Sequence, residues 1–384
     1  MKKMGSVPIF VLLGVACCCY TSGKRGGGSE PQVRVRLSDI TSEARVSCDA
    51  GLAVRAGRDG RRAESRPVTL RRAGKAVAVE VGGQEWRRTA DTVRLSGSRN
   101  ALIRVGERSY RGAMLAFVNG GGALVVANEL GIEDYLRGVV PSEIGPLREE
   151  TIEAVKAQAV AARSFTLTRL SARKGLGHQL FDTYKRDQEY KGAGVEHPLA
   201  SRAVDATRGQ VLVHAGAPAE ALYHACCGGR TAPGSSGYLV SVRDAPGGAG
   251  KAHCAESKHY NWTATFTRRE FEEKLGGLAK LAGRPSVRSV RQEKDGSGRT
   301  RWLHCDSDRG GFRVAGTELR FGLGLKSTLF ELKLGRDRVE FTGRGWGHGA
   351  GMCQDGAVAM ARRGSDWRRI LRHYYPKLGI SRYW

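Results

Sequence analysis

An α+β fold is predicted for this 384-residue chain by three observations. Short apolar/polar alternations recur between residues 32 and 105, one long helical pattern runs from Glu149 to about Lys174, and alternation returns between residues 286 and 341. Strands, then helices, then strands again describe a mixed fold, its larger body preceded by a small β-rich N-terminal region. With 40% hydrophobic residues, the chain can build a sizeable core and more than one sub-structure.

The elements follow in order. Residues 1–23 read as an export signal: Lys2 and Lys3 precede an apolar run over 7–15, then small residues and cysteines. That run is too short to span a bilayer comfortably, and no later segment approaches the required length. Cys17, Cys18 and Cys19 end it as in bacterial lipoprotein signals, although Gly14 stands where a larger aliphatic residue is usual. Export to the periplasm or cell wall is therefore expected, with either cleavage and release or membrane anchoring through a lipidated Cys17. Residues 24–31 form a Gly/Ser-type tether, and 32–109 the β-rich region.

From residue 110 onward a larger domain is expected. Residues 114–118 and 123–127 flank a three-glycine turn and read as a hairpin. A short amphipathic helix over 132–136 leads into a stiff connection, in which Pro141 fixes φ and Gly138 and Gly145 allow bends. The long helix then places Ile152, Val155, Ala159, Ala162 and Thr166 on one face, with acids at its start and basic residues before Gly175. Residues 181–192 form a polar, aromatic loop. A helix over about 197–207, strands at 210–213, 219–224 and 238–242, and a capping box of Thr267 with Glu270 come next. Two helices close the chain, the last with Trp367, Ile370, Leu371, Tyr374 and Tyr375 packed in the core.

The formal charge of +25 raises the question of nucleic acid. Export and the scatter of Arg residues, with no basic run interleaved with aromatics, argue against it. A polyanionic cell wall or anionic lipid head groups fit better, and a codon bias towards Arg accounts for the charge equally well. Six cysteines remain after the signal, Cys48, Cys226, Cys227, Cys254, Cys305 and Cys353, so at least one disulfide is expected in an oxidising compartment.

Few constellations carry chemistry. Glycine at alternate positions from 343 to 351 demands positive φ or a close backbone approach. No P-loop ending or dinucleotide fingerprint accompanies it, so nucleotide binding is excluded. His348 lacks a spaced metal-ligand partner. Cys227 with His224 or His348 would suit a thiol nucleophile, but Cys254 offers it a disulfide partner, and that pairing is preferred. Glu143, amid Val139, Val140, Ile144 and Pro146, is a carboxylate whose pKa desolvation would raise. Local sequence alone favours a plainer description, a carboxylate at the start of the long helix interacting with its dipole.

Five motifs change that balance. IEDYLRGVVPSEI at 132–144, EAVKAQAVAARSF at 153–165, QEY at 188–190, YHACCGGRT at 223–231 and GWGHGAGMCQDGA at 345–357 together, in this order, resemble the SpoIID/LytB family. That family comprises the stage II sporulation protein D lytic transglycosylases and the LytB-type amidase enhancers. The resemblance covers roughly residues 110–384 and leaves 24–109 unaccounted for.

It implies cleavage of peptidoglycan glycan strands between N-acetylmuramic acid and N-acetylglucosamine, with Glu143 matching the family's catalytic acid. Hydrolytic glycosidases normally need two carboxylates. A lytic transglycosylase instead lets the muramic acid 6-hydroxyl attack and close an anhydro ring, so that one residue donates a proton and later takes one back. Arg163, Gln188, Tyr190, Tyr223, His224, Thr231, His348 and Gln354 are the polar motif residues the resemblance places around the groove, orienting sugar hydroxyls and acetamido groups. Some sporulation members carry a zinc-holding Cys/His set just ahead of the Gln-x-Tyr motif. Tyr184, Lys185, Arg186 and Asp187 stand there in this chain, so no metal is expected in this loop and no cofactor elsewhere. The competing expectations are a non-catalytic glycan binder that enhances a cell-wall amidase, and a cysteine hydrolase built on Cys227.

Overall fold

The computed structural model describes residues 28–384 apart from Asp39, Thr41, Ser65, Gln84, Glu85, Arg99 and Ala249. The expected export signal, Cys17 and most of the tether lie outside the described residues. The tether was expected to extend to residue 31, yet Glu30 is held: its carboxylate accepts from the Glu133 N–H at 3.1 Å and pairs with Arg208.

The fold is α+β with a β-rich N-terminal part. Two sheets form that part. The larger runs, edge to edge, through Leu180–Phe181, Gln32–Arg36, Leu124–Gly131, Ala113–Val118, Thr92–Ser96, Leu52–Ala56 and Asp59–Ala63. The other contains Arg108–Tyr110, Ile103–Val105, Glu43–Ser47, Val68–Ala73, Ala76–Val81 and Trp86–Ala90. Alternation in these strands sends Val46, Leu70, Val79, Leu95, Met114 and Val126 inward, where they are fully or almost fully buried. The expected hairpin is present, with Val118 opposite Leu124. Because the larger sheet takes strands from both sides of residue 110, the two expected regions share one hydrophobic core.

Behind the sheets lie helices α1 (Ile132–Glu143), α2 (Ile152–Ala172) and α3 (Pro198–Ala206). Helix α1 is longer than expected and carries Pro141 inside it. The proline bias towards an extended preceding residue is overridden because Val139 and Val140 are both fully buried, and helical geometry is what puts them in the core. Of the strands expected at 219–224 and 238–242, only Tyr223–His224 forms, paired in parallel with Met352–Cys353.

Residues 261–344 build a lobe with a separate hydrophobic core. Its members include Phe271, Leu275, Leu303, Leu319, Phe330 and Phe341. The lobe contains helices α4 (Arg268–Leu278) and α5 (Gly316–Leu323) and two three-stranded sheets. Thr267 caps α4 in the expected box, accepting from the Glu270 N–H at 3.2 Å while Glu270 accepts from the Thr267 N–H at 2.8 Å. The chain then returns to the main body with α6 (Gln354–Arg362) and α7 (Trp367–Tyr374), whose Trp367, Ile370, Leu371 and Tyr374 are buried as expected.

Candidate active site

Between the main body and the lobe lies a groove of about 650 Å³. Glu143 is on its floor, at the last residue of α1. Here the structure reverses the local reading of this residue. Glu143 sits at the negative end of a helix dipole, so dipole and burial act in the same direction instead of opposing each other. Burial pushes its carboxyl up from 4.5 to about 7. The Glu189 N–H, donating to Oε1 at 2.7 Å, and the Tyr223 hydroxyl work against the rise, while the Glu189 carboxylate adds to it. Among the described residues no Lys, Arg or His reaches ion-pair distance of Glu143. A carboxyl of this kind keeps its proton near neutrality and can surrender it to a leaving oxygen.

The walls are aromatic. Five large hydrophobic side chains are exposed among the described residues, and three of them, Tyr184 (67% exposed), Phe321 (75%) and Trp346 (39%), line this groove. Apolar faces beside a polar floor suit sugar rings, which stack their C–H faces on aromatics and turn hydroxyls to hydrogen-bonding groups. Trp346 is steadied by Lys326, 4.1 Å from its ring centroid, and by the edge of His259.

The glycine loop brings Trp346 and His348 to the rim. Gly345, Gly347, Gly349 and Gly351 all have positive φ, and a Cβ at Gly351 would lie 1.9 Å from the Leu222 carbonyl oxygen. The tautomer of His348 follows from its contacts. Nδ1 accepts from the Ala350 N–H at 3.1 Å, so Nε2 carries the proton that it gives to the Tyr223 carbonyl at 2.9 Å. His224 hydrogen-bonds the Ala350 carbonyl through Nδ1 at 3.1 Å. Its Nε2 is buried without a partner among the described residues, and burial holds the imidazole well below the usual range, hence neutral.

The expected site residues divide into two groups. Glu143, Tyr223, His224, His348 and Gln354 meet at the groove. Gln354, at the start of α6, donates to the Glu143 carbonyl at 2.8 Å. Arg163, Gln188, Tyr190 and Thr231, expected beside them, are buried behind the groove with protein partners. Arg163 forks onto Glu133 at 3.1 and 2.6 Å. Gln188 donates to the Tyr223 hydroxyl at 2.8 Å and accepts from Tyr135 and Thr166, so it aims Tyr223 without touching the groove itself. Tyr190 donates to Asn128 at 2.6 Å, and Thr231 accepts from the Val242 N–H at 2.7 Å.

Cys227 and Cys254 approach to 3.5 Å between sulfurs, without a bond. Both are buried, so a nucleophilic Cys227 has no open path to substrate. Sequence reasoning missed Tyr184, Arg320, Phe321 and Trp346 as wall residues, and also Glu189. Trp346 lies within the 345–357 glycine motif, a signal that could have found it, whereas nothing in the local sequence marks Arg320 or Phe321. Asp187 also reaches the groove, but Arg173 at 2.7 Å and Arg169 at 3.4 Å hold its carboxylate.

A carboxyl raised towards neutrality on the floor of an aromatic groove, set in a mixed α+β fold, is the geometry this chain presents to the comparisons. The comparisons with known proteins agree on its relatives. The model of the stage II sporulation protein (SpoIID) family matches residues 120–214, and a domain of unknown function matches 248–351, which includes the lobe. Stage II sporulation protein D of Bacillus subtilis is 33% identical over 264 residues, covering 65% of this chain and 74% of that protein. An uncharacterized protein of Brachyspira hyodysenteriae is 31% identical over 274 residues, 71% and 73% of the two chains. The amidase enhancer of Bacillus subtilis is 26% identical over 304 residues, 65% of this chain and 40% of its own. The chain belongs to the SpoIID/LytB family.

Proposed function

We propose that this protein is an exported peptidoglycan lytic transglycosylase that cleaves glycan strands between N-acetylmuramic acid and N-acetylglucosamine, with Glu143 as general acid and then base. The observation that carries the reading is the Glu143 carboxyl, raised to about 7 and facing an aromatic groove, with no cation paired to it among the described residues. In the first step its proton passes to the glycosidic oxygen as the C1–O bond breaks. The resulting carboxylate takes the proton of the muramic acid 6-hydroxyl as that oxygen bonds to C1, and the enzyme returns to its starting state. No water enters, so no second carboxylate is required to activate one. Tyr223, held by Gln188, keeps the Glu143 carboxyl in place, and Gln354 fixes its backbone.

The test is digestion of amidase-treated glycan strands. Wild type should release anhydromuramyl products and Glu143→Gln should not; a wild-type chain that yields none would remove the enzyme reading. Similarity to an amidase enhancer favours a second reading, in which the same groove holds glycan without cutting it and the partner is a cell-wall amidase. In that case Glu143→Gln would bind strands and stimulate the amidase as well as wild type does.

A further inference from the structure

Away from the groove, behind the paired strands Tyr223–His224 and Met352–Cys353, a second set of chemical groups converges. One ligand atom from each of Cys227, Asp244, Cys254 and Cys353 lies within 4.8 Å of every other, and all four residues are buried. The Cys227 sulfur is 3.5 Å from that of Cys254 and 3.2 Å from Asp244 Oδ2. Two sulfurs bound to one tetrahedral zinc ion at ~2.3 Å stand ~3.8 Å apart, so the observed spacing is close to an edge of such a tetrahedron. It is far from the ~2.05 Å of a disulfide bond. The Cys226 sulfur lies within hydrogen-bonding reach of Cys254 and Cys353.

We propose that Cys227, Cys254, Cys353 and Asp244 form a binding site for a thiophilic divalent cation of the zinc type, which ties the motif strands together from behind the groove. Three further observations support a metal over a simple pair of thiols. Backbone N–H groups are aimed at the sulfurs: Cys227 N–H to Cys353 Sγ at 3.2 Å, Gly229 N–H to Cys227 Sγ at 3.3 Å and Gly356 N–H to Cys353 Sγ at 3.4 Å. A neutral thiol is a poor acceptor, whereas a metal-bound thiolate uses such donors to spread its charge.

Asp244 is fully buried, and among the described residues no Lys or Arg pairs with it. It is oriented as an outer-supported ligand would be, accepting from the Tyr374 hydroxyl at 2.6 Å and the Cys254 N–H at 3.3 Å, with His373 at 3.6 Å. Finally, Arg299 is buried against the cluster with no carboxylate partner among the described residues. It donates to the Cys227 carbonyl at 2.7 Å, and its Nε has no partner among the described residues. Three thiolates and a carboxylate around a divalent ion carry a net negative charge, and this guanidinium would offset it.

The cluster draws on the Tyr223–Thr231 motif, on Asp244, on the segment after it and on the residue preceding Gln354. One ion would therefore fix the strand that carries Tyr223 to the helix whose Gln354 holds Glu143. Such a site is structural: four protein ligands leave no open position.

The test uses the mature exported chain, purified with and without a reductant and incubated with Zn²⁺ or Co²⁺. The expected result is one zinc per chain by elemental analysis, and cobalt-loaded protein with sulfur-to-metal charge-transfer and tetrahedral visible absorption. Asp244→Asn and Cys353→Ser should weaken metal retention by about 10-fold or more. Cys48→Ser and Cys305→Ser, whose thiols are elsewhere in the fold, should leave zinc content unchanged. Wild-type chain that takes up no cobalt under reducing conditions would overturn the proposal. So would an intact mass short of two hydrogens for each of one or two disulfides among these cysteines, with no metal bound. Both readouts are made on wild type, so a variant that fails to fold does not decide the matter.

Discussion

At the first turn of α1, Glu133 is buried against Arg163, which meets both of its oxygens, and the Gly209 N–H donates to it at 3.1 Å. At the last residue of the same helix, Glu143 is only partly buried, and among the described residues no cation pairs with it. Two carboxylates of one helix are thus treated in opposite ways. Glu133 faces the positive dipole end and is held in the core by the Arg163 guanidinium and the Gly209 N–H. Glu143 faces the negative end and an apolar groove and keeps a proton that can move. What separates the two carboxyls is the partner set and the end of the helix, because the residue type is the same.

The largest expected effect breaks the chemical end. Glu143→Gln should lower release of anhydromuramyl products by at least about 100-fold while the chain stays folded. The same variant should also alter stability with pH. Because the folded-state pKa is raised, to about 7, the cost of ionising Glu143 is absent at pH 4 and grows as pH rises from the unfolded value through 7. At pH 8 the Gln variant should therefore be more stable than wild type, by up to about 3 kcal/mol, with no difference at pH 4. Denaturation curves that run parallel across this range would refute the desolvation account.

Breaking the structural end should cost stability instead. Arg163→Met leaves Glu133 buried and unpaired, with an expected loss of about 3–5 kcal/mol in urea unfolding. In whatever fraction stays folded, the alkaline limb of the pH–rate profile should not move, and a shift of that limb would merge the two ends into one system.

Smaller changes sharpen the contrast. Tyr223→Phe removes a hydrogen bond that favours ionised Glu143, so the alkaline limb should move up, by less than about one unit. A downward move would show that the hydroxyl acts on the neutral form. Trp346→Ala should raise KM by the equivalent of about 1 kcal/mol with kcat little altered, as expected for a wall that grips the sugar before and during reaction alike.

Much of this was legible in the sequence because periodicity and turn chemistry are local. The Met114-to-Ala127 hairpin, helix α2, the Thr267 capping box and the positive-φ glycines followed from residue types alone. Helix α1 was underestimated because Pro141 is a local signal for an ending, whereas burial of Val139 and Val140 is a tertiary fact. The site was half legible for a related reason. Arg163, Gln188, Tyr190 and Thr231 are polar residues in motifs, and sequence does not distinguish a side chain that meets a ligand from one that meets another side chain. Phe321 and Arg320 had no motif around them, since their place in the groove depends on how the lobe docks.

That docking has a consequence for how such a protein can change over time. The acid and its supports belong to the main body, while Phe321 and Arg320 come from a lobe that is folded around a core of its own. Lengthening or tilting α5 would reshape the cleft for a differently decorated strand and leave Glu143, Tyr223 and Gln354 where they are. On the proposed reading, the bond-breaking acid and part of the groove wall thus lie on separate pieces of architecture, and selection can act on one while the other is held constant.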